Sequence, residues 1–151
     1  MMSHNQREKH MAALSIEDRF AINDLFVRYT CAIDAGDVDT LVNCFTEDGS
    51  LQSPAVGEYA GRPAIRAFAE RFARFRDNGS QLRHVISNLV ASTDGDRGFA
   101  TCYLTVFLTR NGKSSLMAPG HYECDLRKVD GGWLFQKRVV KHDHDYTLEG
   151  L

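Results

Sequence analysis

Apolar residues recur at three- and four-residue spacing through Ile22, Leu25, Phe26, Tyr29, Ala32 and Ile33, which predicts a helix with one strongly apolar face. Ser15, three residues before Asp18, suits a capping-box start, and Gly36 ends the pattern. Asp37 can cap a second helix with Val38, Leu41, Val42 and Phe45 on its inner side, closed by a turn at Glu47-Asp48-Gly49. Two short strands are expected between Ser50 and Gly61, with a turn around Pro54 to Gly57 and the second strand at Glu58–Ala60. Pro63 then takes a first-turn position, and Ile65, Phe68, Ala69, Phe72 and Phe75 mark a third amphipathic helix stopped by Asn78-Gly79.

Beyond Leu82 the pattern changes. Leu82–Ser92, Phe99–Arg110, Ser115–Val129 and Trp133–Lys141 are long and rich in Val, Thr, Tyr, Phe and Leu, and they are parted by Asp94-Gly95-Asp96, Asn111-Gly112 and Asp130-Gly131-Gly132. This predicts an antiparallel meander, with Pro119-Gly120 read as a bulge or bend inside its third strand. Helices first and strands afterwards is the α+β pattern, and a curved sheet covered by helices encloses an apolar cone. The expected division is a flexible N-terminus over residues 1–13, one domain over 14–145 and a C-terminal tail over 146–151.

Composition narrows the function classes. With 151 residues and 43% hydrophobic content, the chain is long enough for a continuous core with a pocket inside it. The formal net charge is −2 and the basic residues are scattered, so neither a nucleic-acid partner nor an anionic membrane is expected. No signal-peptide run and no long apolar span is present, so a cytoplasmic protein is expected. Cys31, Cys44, Cys102 and Cys124 stand singly among apolar neighbours, which reads as reduced, buried thiols rather than a metal or redox pair. His142-Asp143-His144-Asp145 has metal-like composition but lies in a polar tail without a third ligand at helical spacing, and Asp94-Gly95-Asp96 stops after two ligand positions, so no metal and no cofactor are assigned.

Alternation from Leu82 puts His84, Ile86 and Asn88 on one strand face, an apolar wall with a few polar groups. Taken alone, His84 reads first as a satisfied structural histidine. Asp34 closes the first helix, where the helix dipole disfavours an anion, so its carboxylate is either solvated or paired. Paired with His84, it would fix the imidazole tautomer and leave the other ring nitrogen free to take a proton. Tyr29, little more than a turn earlier, either packs in the core or offers its hydroxyl to a substrate oxygen.

Tyr29, Asp34-Ala35-Gly36-Asp37, Phe45-Thr46-Glu47-Asp48-Gly49, Gly61-Arg62-Pro63-Ala64-Ile65, Arg83-His84-Val85-Ile86-Ser87-Asn88 and Asp130-Gly131-Gly132-Trp133 together resemble the nuclear transport factor 2-like superfamily, in its SnoaL-like and scytalone dehydratase-like branch. The resemblance covers about Leu14 to Asp143 and implies a cone-shaped barrel of three helices on a strongly curved, mostly antiparallel sheet, frequently a homodimer or homotrimer built through the sheet. It implies that Asp34 and His84 match a catalytic dyad of scytalone dehydratase and the related dehydrochlorinase, and that Tyr29 matches the oxyanion-binding tyrosine of ketosteroid isomerases. Ser53 stands where the isomerases carry their base and the dehydratase a water-positioning tyrosine, Ile33 replaces a tyrosine, and a second histidine of the dehydratase falls near Thr109. The resemblance turns Tyr122 inward and His121 outward, and the pocket is expected to be lined by Phe26, Ile33, Ser53, Asn88 and Tyr122. The expected function is a cofactor-independent lyase or isomerase acting on a small cyclic or aromatic molecule. The alternative is a non-catalytic binding module or the small structural subunit of a ring-hydroxylating oxygenase.

Overall fold

The computed structural model describes residues 14–148 and 151; the expected flexible N-terminus lies outside the described residues. Ser15 caps helix α1 (Ile16–Ala35) by accepting from the Asp18 amide at 3.1 Å. The box is not reciprocated, because the Asp18 carboxylate instead accepts from Trp133 Nε1 at 2.7 Å and Lys128 Nζ at 3.0 Å, tying the start of α1 to the sheet. Gly36 adopts φ 73°, a left-handed conformation that suits glycine, and the chain reverses there with the Asp37 amide donating to Ala32 O. Asp37 then caps α2 (Val38–Asn43) through the Thr40 amide at 3.0 Å.

The second helix is shorter than its apolar period suggests. Phe45 belongs to β1 (Phe45–Ser53), because the Phe135 amide donates to Cys44 O and Arg62 donates two bonds to Phe45 O. Pairing across the sheet therefore overrides the local helical spacing. The expected turn at Glu47-Asp48-Gly49 survives only as an irregularity in the β1 ladder between Phe45 and Ser50. β2 (Gly57–Ala60) pairs back on β1, and α3 (Arg62–Asp77) carries Pro63 in its first turn and buries Ile65, Phe68, Ala69, Phe72 and Phe75.

The remaining strands are β3 (Gln81–Asp94), β4 (Arg97–Arg110), β5 (Lys113–Leu116), β6 (Gly120–Val129) and β7 (Gly132–His142). The sheet is seven-stranded, ordered β2-β1-β7-β6-β4-β3 with β5 on β4, and it is antiparallel except where β1 runs parallel to β7. It does not close into a barrel; the helices complete the enclosure, which gives the α+β architecture with a curved sheet. Where a single third strand was expected, the chain breaks at Met117-Ala118-Pro119: β5 pairs with β4 alone, whereas β6 lies between β4 and β7.

Two further irregularities decide which side chains face inward. The β3–β4 register shifts between Ser87 and Val90, where Asn88 has φ 55°. Beyond this bulge Leu89, Ala91 and Thr93 take the inner face, and Asn88 is exposed. The β6–β7 register shifts between Asp125 and Leu126, opposite Gln136. The inward series on β7 therefore passes from Trp133 and Phe135 to Arg138, Val140 and His142.

The core between the layers holds an aromatic group in which the Phe135 ring meets Phe26 at 5.1 Å, Tyr29 at 5.7 Å and Phe45 at 5.4 Å. Cys44, Cys102 and Cys124 are buried in it, but Cys31 is exposed on α1, contrary to the reading of all four as buried.

Candidate active site

The last turn of α1 lies against the start of β3. There His84 Nδ1 is 2.6 Å from Asp34 Oδ1, and the His84 backbone amide donates to Asp34 Oδ2 at 2.9 Å. Both carboxylate oxygens are thus held by one residue, which fixes the imidazole and the carboxylate relative to each other. Both side chains are largely buried, at 9% and 11% exposure. If the Asp34 carboxylate is the acceptor in this contact, Nδ1 donates and Nε2 is the ring nitrogen left without a proton.

His84 and Tyr29 line one cavity with Ile33, Ser53, Tyr122, Arg138 and His142, set in an apolar wall that includes Leu51, Leu82, Leu104 and Val106. The cavity measures about 40 Å³, enough for about three waters. An aromatic substrate therefore enters only if lining side chains move, and Val56, Met117 and Tyr146 are partly exposed lining residues.

Of the expected pocket residues, Ile33, Ser53 and Tyr122 line this cavity and two do not. Asn88 is exposed because the β3 bulge carries it off the inner face. Phe26 is buried against Phe135, deeper in the core, since the apolar face of α1 is wider than the cavity. His121 points away from the core, with Nε2 3.2 Å from Glu123 Oε1.

Two basic lining residues were missed. Arg138 is 2% exposed, and its guanidinium lies between the rings of Tyr29, at 4.1 Å, and Tyr122, at 3.8 Å. His142, read above as part of a polar tail, ends β7 inside the cavity wall with Tyr146 packed edge-on at 4.7 Å. Strand alternation alone does not reveal either, because it counts from Trp133 without the extra residue at Gln136.

The protonation states follow from burial. Burial pushes the Tyr29 hydroxyl up to about 12 against the opposing pull of Arg138, so it is a donor at neutral pH. The Tyr122 hydroxyl is raised further for the same reason. Burial pushes His142 below the ordinary histidine value, and the neighbouring His144 and Arg138 act in the same direction. Among the described residues, no group of three His, Cys, Asp or Glu side chains is gathered as a metal ion would need. No helix among them is long and apolar enough to cross a membrane.

A curved antiparallel sheet with helices over its concave face and a polar group sunk in the cone defines a class, and the family follows from it: the chain belongs to the SnoaL-like domain family, whose model matches residues 14–139. An uncharacterized Mycobacterium tuberculosis protein is 26% identical over 132 residues, covering 85% of this chain and 88% of its own. An NTF2-like protein with a cystatin-like fold from Novosphingobium aromaticivorans superposes with TM-score 0.74 at 25% identity, covering 89% of this chain and 84% of its own. A candidate scytalone dehydratase from the same organism superposes with TM-score 0.76 at 18% identity, covering 89% and 91% respectively, and at that identity it speaks to the fold alone.

Proposed function

We propose that the protein is a cofactor-independent lyase or isomerase in which His84 removes a proton from carbon beside a carbonyl or leaving group of a small cyclic or aromatic substrate. The observation that supports this most is the 2.6 Å contact between His84 Nδ1 and Asp34 Oδ1, with His84 lining a mostly apolar cavity. The His84 Nε2 lone pair takes the proton, and the C–H electrons move into the carbonyl as an enolate. In a lyase the electrons then expel the leaving group, and in an isomerase His84 returns the proton to another carbon. Asp34 orients the ring and stabilises the imidazolium that forms. Tyr29 donates to the developing oxyanion, a part suited to a hydroxyl that stays protonated and has no partner among the described residues.

A positioned base contributes about a hundred- to ten-thousandfold, and one oxyanion donor about a hundred- to a thousandfold. This set suffices for an activated C–H, which favours dehydration or isomerisation over harder chemistry. The test is hydrogen exchange of 2-tetralone in buffered D2O followed by NMR. The wild-type protein is expected to accelerate exchange at the acidic carbon above the buffer rate. Tyr29→Phe is expected to slow it by about a hundredfold with unchanged or slightly higher stability, because the lost hydroxyl leaves no protein group unpaired. Full exchange activity in Tyr29→Phe contradicts the oxyanion role.

A second reading has its own support. The outward sheet face exposes Val85, Val90, Tyr103, Phe107 and Leu116, an apolar surface suited to covering by other chains. On this reading the protein is a binding module or the small structural subunit of a ring-hydroxylating oxygenase. On the catalytic reading, the same face builds a homodimer or homotrimer. Absence of exchange above buffer, together with co-purification of a larger iron-containing chain, favours the subunit.

A further inference from the structure

Arg138 is deeply buried, yet no carboxylate among the described residues lies within ion-pair distance of it. Asp34 accepts from His84 through both of its oxygens. Aromatic faces supply attraction but no counter-charge, and a buried cation without one is costly. The guanidinium carbon lies over the Tyr29 and Tyr122 rings, and the buried Nε has no partner among the described residues.

Other unpartnered polar groups line the same cavity. The Tyr122 hydroxyl and both ring nitrogens of His142 are buried without partners, as is the Tyr29 hydroxyl. Water can satisfy the hydroxyls and the imidazole, but it brings no negative charge to Arg138. A neutral ligand has the same shortcoming. A carboxylate meets both needs, since its two oxygens match a guanidinium edge side-on and its charge balances the buried cation.

We propose that the cavity is built for a carboxylate-bearing ligand, held edge-on by Arg138 with Tyr122 as a further donor. That this ligand is also the substrate rests on the proton-transfer reading above; the anion site itself does not. It divides the labour in the cavity, with Arg138 fixing the anionic end and His84 meeting the carbon that reacts.

Benzoate and benzamide have nearly the same shape and differ in charge, so the pair isolates the contribution of Arg138. In calorimetric titrations of the wild-type chain at neutral pH, benzoate is expected to bind about tenfold or more tighter than benzamide. Arg138→Met keeps the apolar stem and is expected to abolish that preference. Asp34→Asn and His84→Gln are expected to retain it, so a failed dyad and a failed anion site give different results. Equal or weaker binding of benzoate by the wild type, or binding of neither at millimolar concentration, overturns the proposal whatever the turnover. The wild-type comparison decides even if Arg138→Met does not fold.

Discussion

Replacing His84 by glutamine lowers proton-transfer turnover by about a hundred- to ten-thousandfold while the chain stays folded. Glutamine reaches as far as histidine and can offer an amide N–H to Asp34, so the carboxylate is not left buried and unpaired. The backbone half of the grip, from the His84 amide to Asp34 Oδ2, is independent of the side chain. What disappears is the basic nitrogen, and turnover falls without a matching loss of stability. Asp34→Asn takes away the charge that steadies the imidazolium and weakens both bonds to residue 84. Exchange of 2-tetralone and thermal unfolding, measured side by side, separate lost chemistry from lost structure. Normal exchange in either variant contradicts the dyad.

Replacing Gly120 by alanine is the second change with a large expected effect, this time on stability. A Cβ at this position would lie 2.1 Å from the Lys141 carbonyl oxygen and 3.0 Å from His142 Cα. Both obstacles are backbone, and Gly120 pairs with Leu104 on one side and His142 on the other, so neither neighbour can turn aside as a flexible side chain would. The strands must separate locally. Overpacking of this kind costs about 3 kcal/mol, which for a chain of this size lowers the melting temperature by roughly 6–12 °C. The displaced end of β7 carries His142, so the cavity loosens as well. An alanine variant that melts with the wild type shows that the strand ends part easily and contradicts the close approach.

The same glycine illustrates what the sequence could and could not reveal. Pro119-Gly120 is visible as an interruption, but its reason, the close approach of the Lys141–His142 backbone, depends on the paired sheet. Asp34 and His84 were legible because each follows a local rule. One sits at a helix end marked by Gly36, and the other lies in the regular part of β3 before its bulge. Asn88 falls inside that bulge, so alternation placed it on the wrong face. Arg138 and His142 escaped for the mirror reason, since the extra residue at Gln136 shifts the inward series of β7. Phe45 read as helical because its spacing fits, and only its neighbours on β7 and α3 make it a strand. Phe26 and Tyr29 share one apolar helix face, and periodicity cannot tell which ring meets the cavity and which fills the core.

The central claim is that Asp34 holds His84 with its basic nitrogen available to the cavity. Nitrogen-15 NMR of the His84 ring tests this directly in the wild-type protein, at a pH where the ring is neutral. The account predicts a protonated Nδ1 and an unprotonated Nε2, with the pattern disturbed in Asp34→Asn. A ring protonated at Nε2, or one whose tautomer is indifferent to Asp34, contradicts it.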